Sequence, residues 1–432
     1  MLLRFEAGNF LSLRDTAELS LVASSLKDDA VPLFEPSAAP GTRVVSSALI
    51  YGPNASGKSN IVSAISYMRS FVLYSHNRGS PEGKINRRPF ALDSSYSDRP
   101  TSFEVDFISG GTRYTYGFEL SNEHVVAEWL FSYPNNRRQL LFERDLQEFS
   151  FGRNLRGRNQ TIADLTRQNS LFISAAAQND HSELTSVYRF FDDIVINSSI
   201  DVNSTVASRP WKENSEIDNR IINFLSNVGT GVIGYRRRER EKTKESVEFQ
   251  KNFNQLLRTT FGEVVDKISL SDDSIEKDVT LQLAHMASGG KQVFFNLDKE
   301  SAGTRRLLAL LAPIFAALDH GGLIVIDEID ASLHTRACEA ILALFSSTEF
   351  NANGAQLIAT THDTNILSSN LLRRDQIWFC EKGDTGETAL FPLTDLRTRA
   401  TDNIEKGYLQ GRFGAIPFAG SPSQLLKTLR DA

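Results

Sequence analysis

Residues 52–59 read GPNASGKS: a glycine, four residues of any type, then Gly-Lys-Ser. Two glycines at this spacing let a backbone curl until its amides point inward at phosphate oxygens. A lysine in the last turn of such a loop reaches the β- and γ-phosphates, and the following hydroxyl ligates Mg²⁺. The candidate phosphate cradle is therefore Gly52, Pro53, Asn54, Ala55, Ser56, Gly57, Lys58, Ser59 and Asn60. The competing reading is a glycine-rich turn between a strand and a helix. A second chemical element is LIVIDEID (323–330), where four apolar β-formers deliver Asp327 to the end of a strand. A carboxylate there can hold Mg²⁺ or its water, and Glu328 beside it can accept a proton from an attacking water. In QLIATTHDTNIL (356–367), His362 also stands just past a strand end, where a neutral imidazole can bond a terminal phosphate or hold water. A fourth stretch, ESAGTRRL (300–307), puts Ser301, Ala302, Gly303 and Thr304 ahead of Arg305, Arg306 and an apolar helix. Read alone, it is a helix cap or a further phosphate loop.

These groups need a sheet edge to hold them. VVSSALI (44–50) reads as a buried strand leading into the loop, with an amphipathic helix after it to about residue 75. After residue 300 the pattern is helix (305–318), strand (323–327), helix (335–346), strand (356–361), helix, strand (376–380), the alternation of a parallel α/β sheet. The core is then split, with residues 1–75 and 296–432 forming one head. Between them lie an antiparallel β lobe (76–160), seen in the hairpin TSFEVDFISGGTRYTYGFEL, and a mainly helical insertion (161–295) closed by the hairpin VTLQLAHMASGGKQVFFNL. Residues 1–24 alternate as two strands about an Asn-Phe turn. Ile217, Ile221, Phe224, Leu225 and Val228 make one helical stripe, and Phe249, Phe253, Leu256 and Leu257 a second.

The whole chain has 432 residues, 41% hydrophobic and 23% charged, with a net charge of −6, so a surface coated with nucleic acid is not expected. Two local runs are basic, 136–158 and YRRREREKTK (235–244). Either could touch a DNA or RNA backbone, but most such runs are solvated helix faces or loops, and no aromatics are interleaved along them. Cys338 and Cys380 have no metal-type spacing and support no disulfide framework. The first residues lack the apolar core of a signal peptide. The longest apolar run, Leu307–Leu318 with Pro313 inside, is short of the ~20 residues a bilayer needs. The expectation is a cytoplasmic protein with no membrane segment.

Taken as a set, the loop at 52–59, SAGTRR (301–306), IDEID with ASLH (326–334) and His362 in TTHD resemble the ATP-binding-cassette heads of the RecF/SMC/OLD type, over roughly residues 1–75 and 296–400. The resemblance implies a P-loop NTPase fold and ATP with Mg²⁺ as cofactors. It also implies hydrolysis served by Lys58, Glu328 and His362, with Ser59 and Asp327 on the metal. The stretch Ser301–Arg305 would be the signature motif that caps the γ-phosphate held by a second copy, and Asp330 and Ser332 would belong to the D-loop along that dimer seam. The glutamine loop has no clear counterpart: RRPFALD (87–93) stands in its place without a glutamine. A narrower resemblance, carried by PFALD, PTSFEVDF, DQIWFCEKGDTGETALFPLTDL (375–396) and GYLQGRFGAIPF (407–418), is to RloA-type ATPases of bacterial anti-phage and abortive-infection operons. It implies a separately encoded Toprim-type, RloB-like nuclease as partner. The rival readings are an SMC/RecF-like DNA-repair ATPase, a slow nucleotide-gated scaffold and a self-contained nuclease.

Overall fold

The computed structural model describes residues 1–28, 31–78, 80, 82–197, 217–241, 277–399, 402–415 and 430. The chain forms two units. One comprises Met1–Ser199, Phe315–Ala331 and Thr335–Ala432, the other Ile200–Ile314 and Ser332–His334. Among the described residues are β1 (Leu2–Gly8), β2 (Ala17–Ser20), β3 (Ser47–Tyr51), α1 (Lys58–Arg78), β4 (Thr101–Ser109), β5 (Thr112–Leu120), β6 (Val125–Ser132), β7 (Gln139–Asp145), β8 (Glu148–Phe151), α2 (Asn159–Leu165), α3 (Phe172–Gln178), α4 (Leu184–Asp192), β9 (Val195–Asn197), α5 (Asn219–Asn227), β10 (Val232–Glu241), β11 (Lys277–Met286), β12 (Gln292–Asn296), α6 (Ala302–His320), β13 (Leu323–Ile326), α7 (Thr335–Ser346), β14 (Gln356–Thr360), β15 (Ile377–Lys382), β16 (Thr388–Pro392) and α8 (Ile404–Leu409).

The first unit holds two sheets. In the six-stranded sheet, the order is β16-β15-β3-β14-β13-β9, with every neighbouring pair parallel except β15 and β16. Strands β3, β13 and β14 are buried along their whole length, which explains why SALIY, LIVI and QLIAT read as continuous apolar runs rather than alternating ones. The seven-stranded antiparallel sheet runs β2-β1-β4-β5-β6-β7-β8. Gly110 and Gly111 turn its first expected hairpin with positive φ. Helix α1 shares one core with both sheets: Ile61, Ile65, Met68 and Val72 are buried with Ile50 and Ile358 of one and Phe103 and Phe118 of the other. Tyr67 stacks on Phe103 with ring centres 5.5 Å apart.

This arrangement differs from the elements and groupings expected from the sequence in three ways. The strands of residues 2–20 do not belong with the nucleotide-side sheet; they extend the antiparallel one, because β4 has a free edge that β1 fills in register, Phe5 opposite Val105. The tie to the parallel sheet is instead a side chain. Gln356 Oε1 accepts from the Leu2 amide at 2.6 Å, and Gln356 Nε2 donates to the Leu2 carbonyl at 2.9 Å. Second, α2–α4 belong to the first unit and bury Phe172, Ile173, Phe190 and Phe191 in its core. Third, the segment after His362 is a 3-10 turn, Thr364–Ser368, not a full helix: the Asp363 carboxylate caps it at the Asn365 amide.

The described part of the second unit is one helix and a three-stranded antiparallel sheet, β10-β11-β12, followed by a 3-10 turn (Leu297–Lys299), α6 as far as Ile314, and the segment Ser332–His334. Its α5 carries Ile221, Phe224 and Leu225 of the first expected stripe, of which Ile221 and Leu225 are buried together with Ile222, while Ile217 lies before the helix and Val228 just after it. The second stripe lies outside the described residues. The basic run beginning at Tyr235 starts in β10 rather than in a loop or helix. Tyr235 hydroxyl accepts from the Ile217 amide, and Arg236 lies 4.0 Å over the Phe294 ring. The other basic run is also partly internal. Arg144 is buried against Glu128 at 3.6 Å and donates to the Ser170 carbonyl at 2.7 Å, so it is a core ion pair and not a nucleic-acid contact.

Candidate functional site

Strand β3 ends at Tyr51, and residues 52–57 close back over it before α1 begins at Lys58. The turn demands its glycines. Gly57 has φ +107°, and a Cβ there would lie 2.1 Å from Thr388 Oγ1. A Cβ on Gly52 would lie 2.2 Å from the Cys380 carbonyl oxygen. Ala55 also takes positive φ, +64°. Such a curl aims successive amides into one concavity, the geometry that receives a phosphate. Lys58 folds over the loop, its Nζ donating to the carbonyls of Gly52 at 2.8 Å and Pro53 at 2.9 Å. Burial lowers its pKa, and Cys380, Asp327, Glu328 and Asp330 work against that shift. Asn54, Ala55 and Ser59 are exposed, and the Ser56 hydroxyl is buried.

Across the sheet edge, the carboxyl ends of β13 and β14 meet. The buried Thr360 hydroxyl donates to Asp327 Oδ1 at 2.6 Å and accepts the Glu328 amide at 2.7 Å, so one side chain fixes both acidic positions. Glu328 sits in the left-handed region at φ +51° with its side chain exposed. For a residue with a Cβ this costs about 1–3 kcal/mol. The His362 amide donates to both oxygens of Asp330 at 3.2 Å, which brings that histidine and the aspartate of the 326–334 stretch together. The imidazole itself is exposed. Ser59 and Asp327 offer hard oxygen donors. Among the described residues there is no cluster of three or more His, Cys, Asp or Glu groups. A cation here would complete its shell with water and phosphate oxygens, the habit of Mg²⁺. The residues present fit a Mg²⁺–nucleotide complex.

Three supports of the loop were not legible along the chain. Thr388 of β16 donates to the Ser56 carbonyl at 2.7 Å and shares a 2.7 Å hydrogen bond with Ser12. Asn60, expected at the nucleotide, donates its amide to Ser12 Oγ at 2.5 Å. Cys380 Sγ reaches the Ser56 carbonyl at 3.4 Å, and burial pushes its thiol up to about 11. Thr388→Val is expected to cost about 1–3 kcal/mol by leaving the buried Ser56 carbonyl without that donor. Thermal melting and a nucleotide titration would check it; unchanged values in both would refute this brace.

The segment 87–93 opens on a buried arginine: the Arg87 guanidinium bonds Asn122 and the carbonyls of Ser97 and Arg99. The tail segment packs on Phe379 of β15. Tyr408 stacks on Phe379 at 5.3 Å and donates to the Ala415 carbonyl at 2.8 Å, while residues 416–418 lie outside the described residues. In the second unit Ser301 and Ala302 are exposed, and the Thr304 amide donates to Ser301 Oγ at 3.0 Å, so the serine is the cap of α6. Gly303 is held close to the 332–334 segment: a Cβ on it would lie 2.8 Å from the Ser332 carbonyl oxygen. Asp330 belongs to the first unit and Ser332 to the second.

A parallel sheet with a glycine-lysine-serine loop at one strand end and an Asp-Glu pair two strands away defines a P-loop nucleotide-binding domain. The family model described as "AAA domain, putative AbiEii toxin, Type IV TA system" matches residues 47–368, and the chain belongs to that family. Among solved structures, the chain is similar to an SmcHead bound to the C-winged helix domain of ScpA, at 16% identity and a TM-score of 0.42, covering 90% of this chain and 97% of that one. No curated protein matches it. Among the described residues no helix is long and apolar enough to cross a membrane.

Proposed function

We propose that the protein is a cytoplasmic ATPase that binds ATP with Mg²⁺, dimerises around the bound nucleotide, and controls a separately encoded effector nuclease in anti-phage defence. The observation that carries the dimer is the redundancy of two phosphate-type loops. Lys58 and its loop already form a cradle in the first unit, while the exposed Ser301 cap opens α6 in the second. A second cradle is explained if it serves another copy's nucleotide. The defence reading rests on the RloA-type motifs and agrees with the toxin–antitoxin wording of the family description.

Bound Mg²⁺ supplies charge neutralisation and orientation of the phosphate oxygens. The chain's own groups do the rest. Lys58 exchanges its two carbonyl partners for phosphate oxygens. Ser59 and Asp327 hold the cation, Asp327 already aimed by Thr360. Glu328, exposed beside it, takes the proton of the attacking water, and His362, carried on the Asp330 contact, bonds the terminal phosphate. In the same reading Ser301, Ala302, Gly303, Thr304 and Arg305 close the partner's site, with Asp330 and Ser332 at the seam.

Mixing two inactive variants tests this. Lys58→Ala lacks its own cradle and Ser301→Arg cannot cap the other copy's. Combined, they leave one intact composite site per heterodimer, and ATPase activity is expected to return to at most about a quarter of wild type, since random pairing of two equivalent subunits makes about half the dimers heterodimers. No recovery over either variant alone would remove the case for completion in trans. Co-purification of a Toprim-type nuclease encoded beside this chain tests the partner; a neighbour with no nuclease fold would count against it.

A further inference from the structure

The carboxylate of Glu300 stands one residue before Ser301, which is a poor place for a negative charge if Ser301 must approach a partner's phosphate. The structure deals with it through the sheet of the second unit. His285, in the central strand β11, brings Nε2 to 2.9 Å from Glu300 Oε1. The Glu300 side chain is 6% exposed and the histidine 22%, so the pair is mostly withdrawn from solvent. The imidazole is held in turn against Phe295 of β12, ring centres 5.5 Å apart. The chain between them is short: β12 ends at Asn296, the turn Leu297–Lys299 follows, and the Glu300 amide donates to the Leu297 carbonyl at 3.1 Å. Glu300 thus enters the cap of α6 with its backbone fixed from one side and its side chain from the other.

We propose that His285 is a positioning residue for the composite ATP site, acting through Glu300 on the Ser301–Thr304 loop. It turns the Glu300 carboxylate back into the sheet, which removes a like charge from the anion-facing end of α6. It also fixes the direction in which the chain reaches Ser301. Gly303 against the Ser332 carbonyl passes the same constraint to the 332–334 segment of the same unit. This inference rests on the reading of an ATP-bridged dimer.

The test uses the full chain carrying Glu328→Gln, with dimerisation followed by light scattering over a concentration series at saturating Mg-ATP. His285→Ala is expected to leave binding of a fluorescent ATP analogue within twofold, since the Lys58 cradle is in the other unit, and to weaken dimerisation about tenfold. Two companions separate positioning from loss of fold. His285→Gln keeps a donor toward Glu300 and is expected to restore dimerisation to within threefold. Glu300→Gln added to His285→Ala removes the charge and is expected to recover most of the loss. Undiminished dimerisation of His285→Ala, or no recovery in either companion while ATP is still bound, overturns the proposal. If Glu328→Gln alone forms no ATP-dependent dimer, the composite-site reading fails and takes this inference with it. If that dimer forms and the His285 variants do not alter it, the inference alone fails.

Discussion

Glu328→Gln is expected to bind ATP as the wild type does, to hydrolyse it about 10²–10⁴-fold more slowly, and to accumulate as a dimer. The amide keeps the size and the hydrogen-bonding reach of the side chain but cannot take a proton from water. Its backbone is undisturbed, because the Glu328 amide still donates to Thr360. Light scattering at saturating ATP reports the outcome, and a monomer would sink the dimer reading. The strained backbone supplies a control. Glu328 is held at φ +51°, where glycine pays no steric cost. Glu328→Gly should therefore lose as much turnover while melting at the same temperature as wild type or higher. A variant that is both inactive and less stable would show that the left-handed turn is not strained.

Gly57→Ala is expected to weaken nucleotide binding by about a hundredfold or more and to lower stability by several kcal/mol, more than the ~1–3 kcal/mol of an unfavourable φ alone. Two penalties coincide. The residue needs φ +107°, and its new methyl would meet Thr388 Oγ1 at 2.1 Å and Ser12 Oγ at 2.8 Å. Those hydroxyls are not free to retreat, since Thr388 holds the Ser56 carbonyl and Ser12 holds Asn60. The clash therefore opens the brace that shapes the loop. Isothermal titration with ATP, alongside urea unfolding, measures both effects. A second change, Thr388→Ala, relieves the steric part and should recover some binding; no recovery would mean that φ alone dominates.

Much of the site could be read along the chain because its chemistry is local. The residues from Gly52 to Ser59 and from Asp327 to Asp330 are consecutive, and their strands are uniform apolar runs. What escaped was whatever is close only in space. Thr360 fixes Asp327 and Glu328 from the next strand, with only TTHD as a faint polar signal. Ser12 and Thr388 brace the loop from far apart in sequence, and β16 was hidden inside GETALFP because its five residues form an antiparallel edge on a parallel sheet. Strand pairing also reassigned residues 2–20, since alternation marks a strand but not the sheet it joins. The arginines at 236–238 read as a solvated run for the same reason: alternation was masked by charge, and only pairing with β11 makes a strand of them.

The place of β3 has a consequence for how the molecule comes into being. This strand, which carries the Lys58 loop, pairs with β14 at residues 356–360 on one side and with β15 at 377–382 on the other. During synthesis it must therefore wait, without a native neighbour, until most of the chain has left the ribosome. The antiparallel strands from β4 to β8 pair with sequential neighbours and can assemble meanwhile. Competence to bind nucleotide would thus arrive late, once β14 and β15 have been made, and a chain interrupted before β14 would carry every residue of the Lys58 loop yet have no neighbouring strand to hold it.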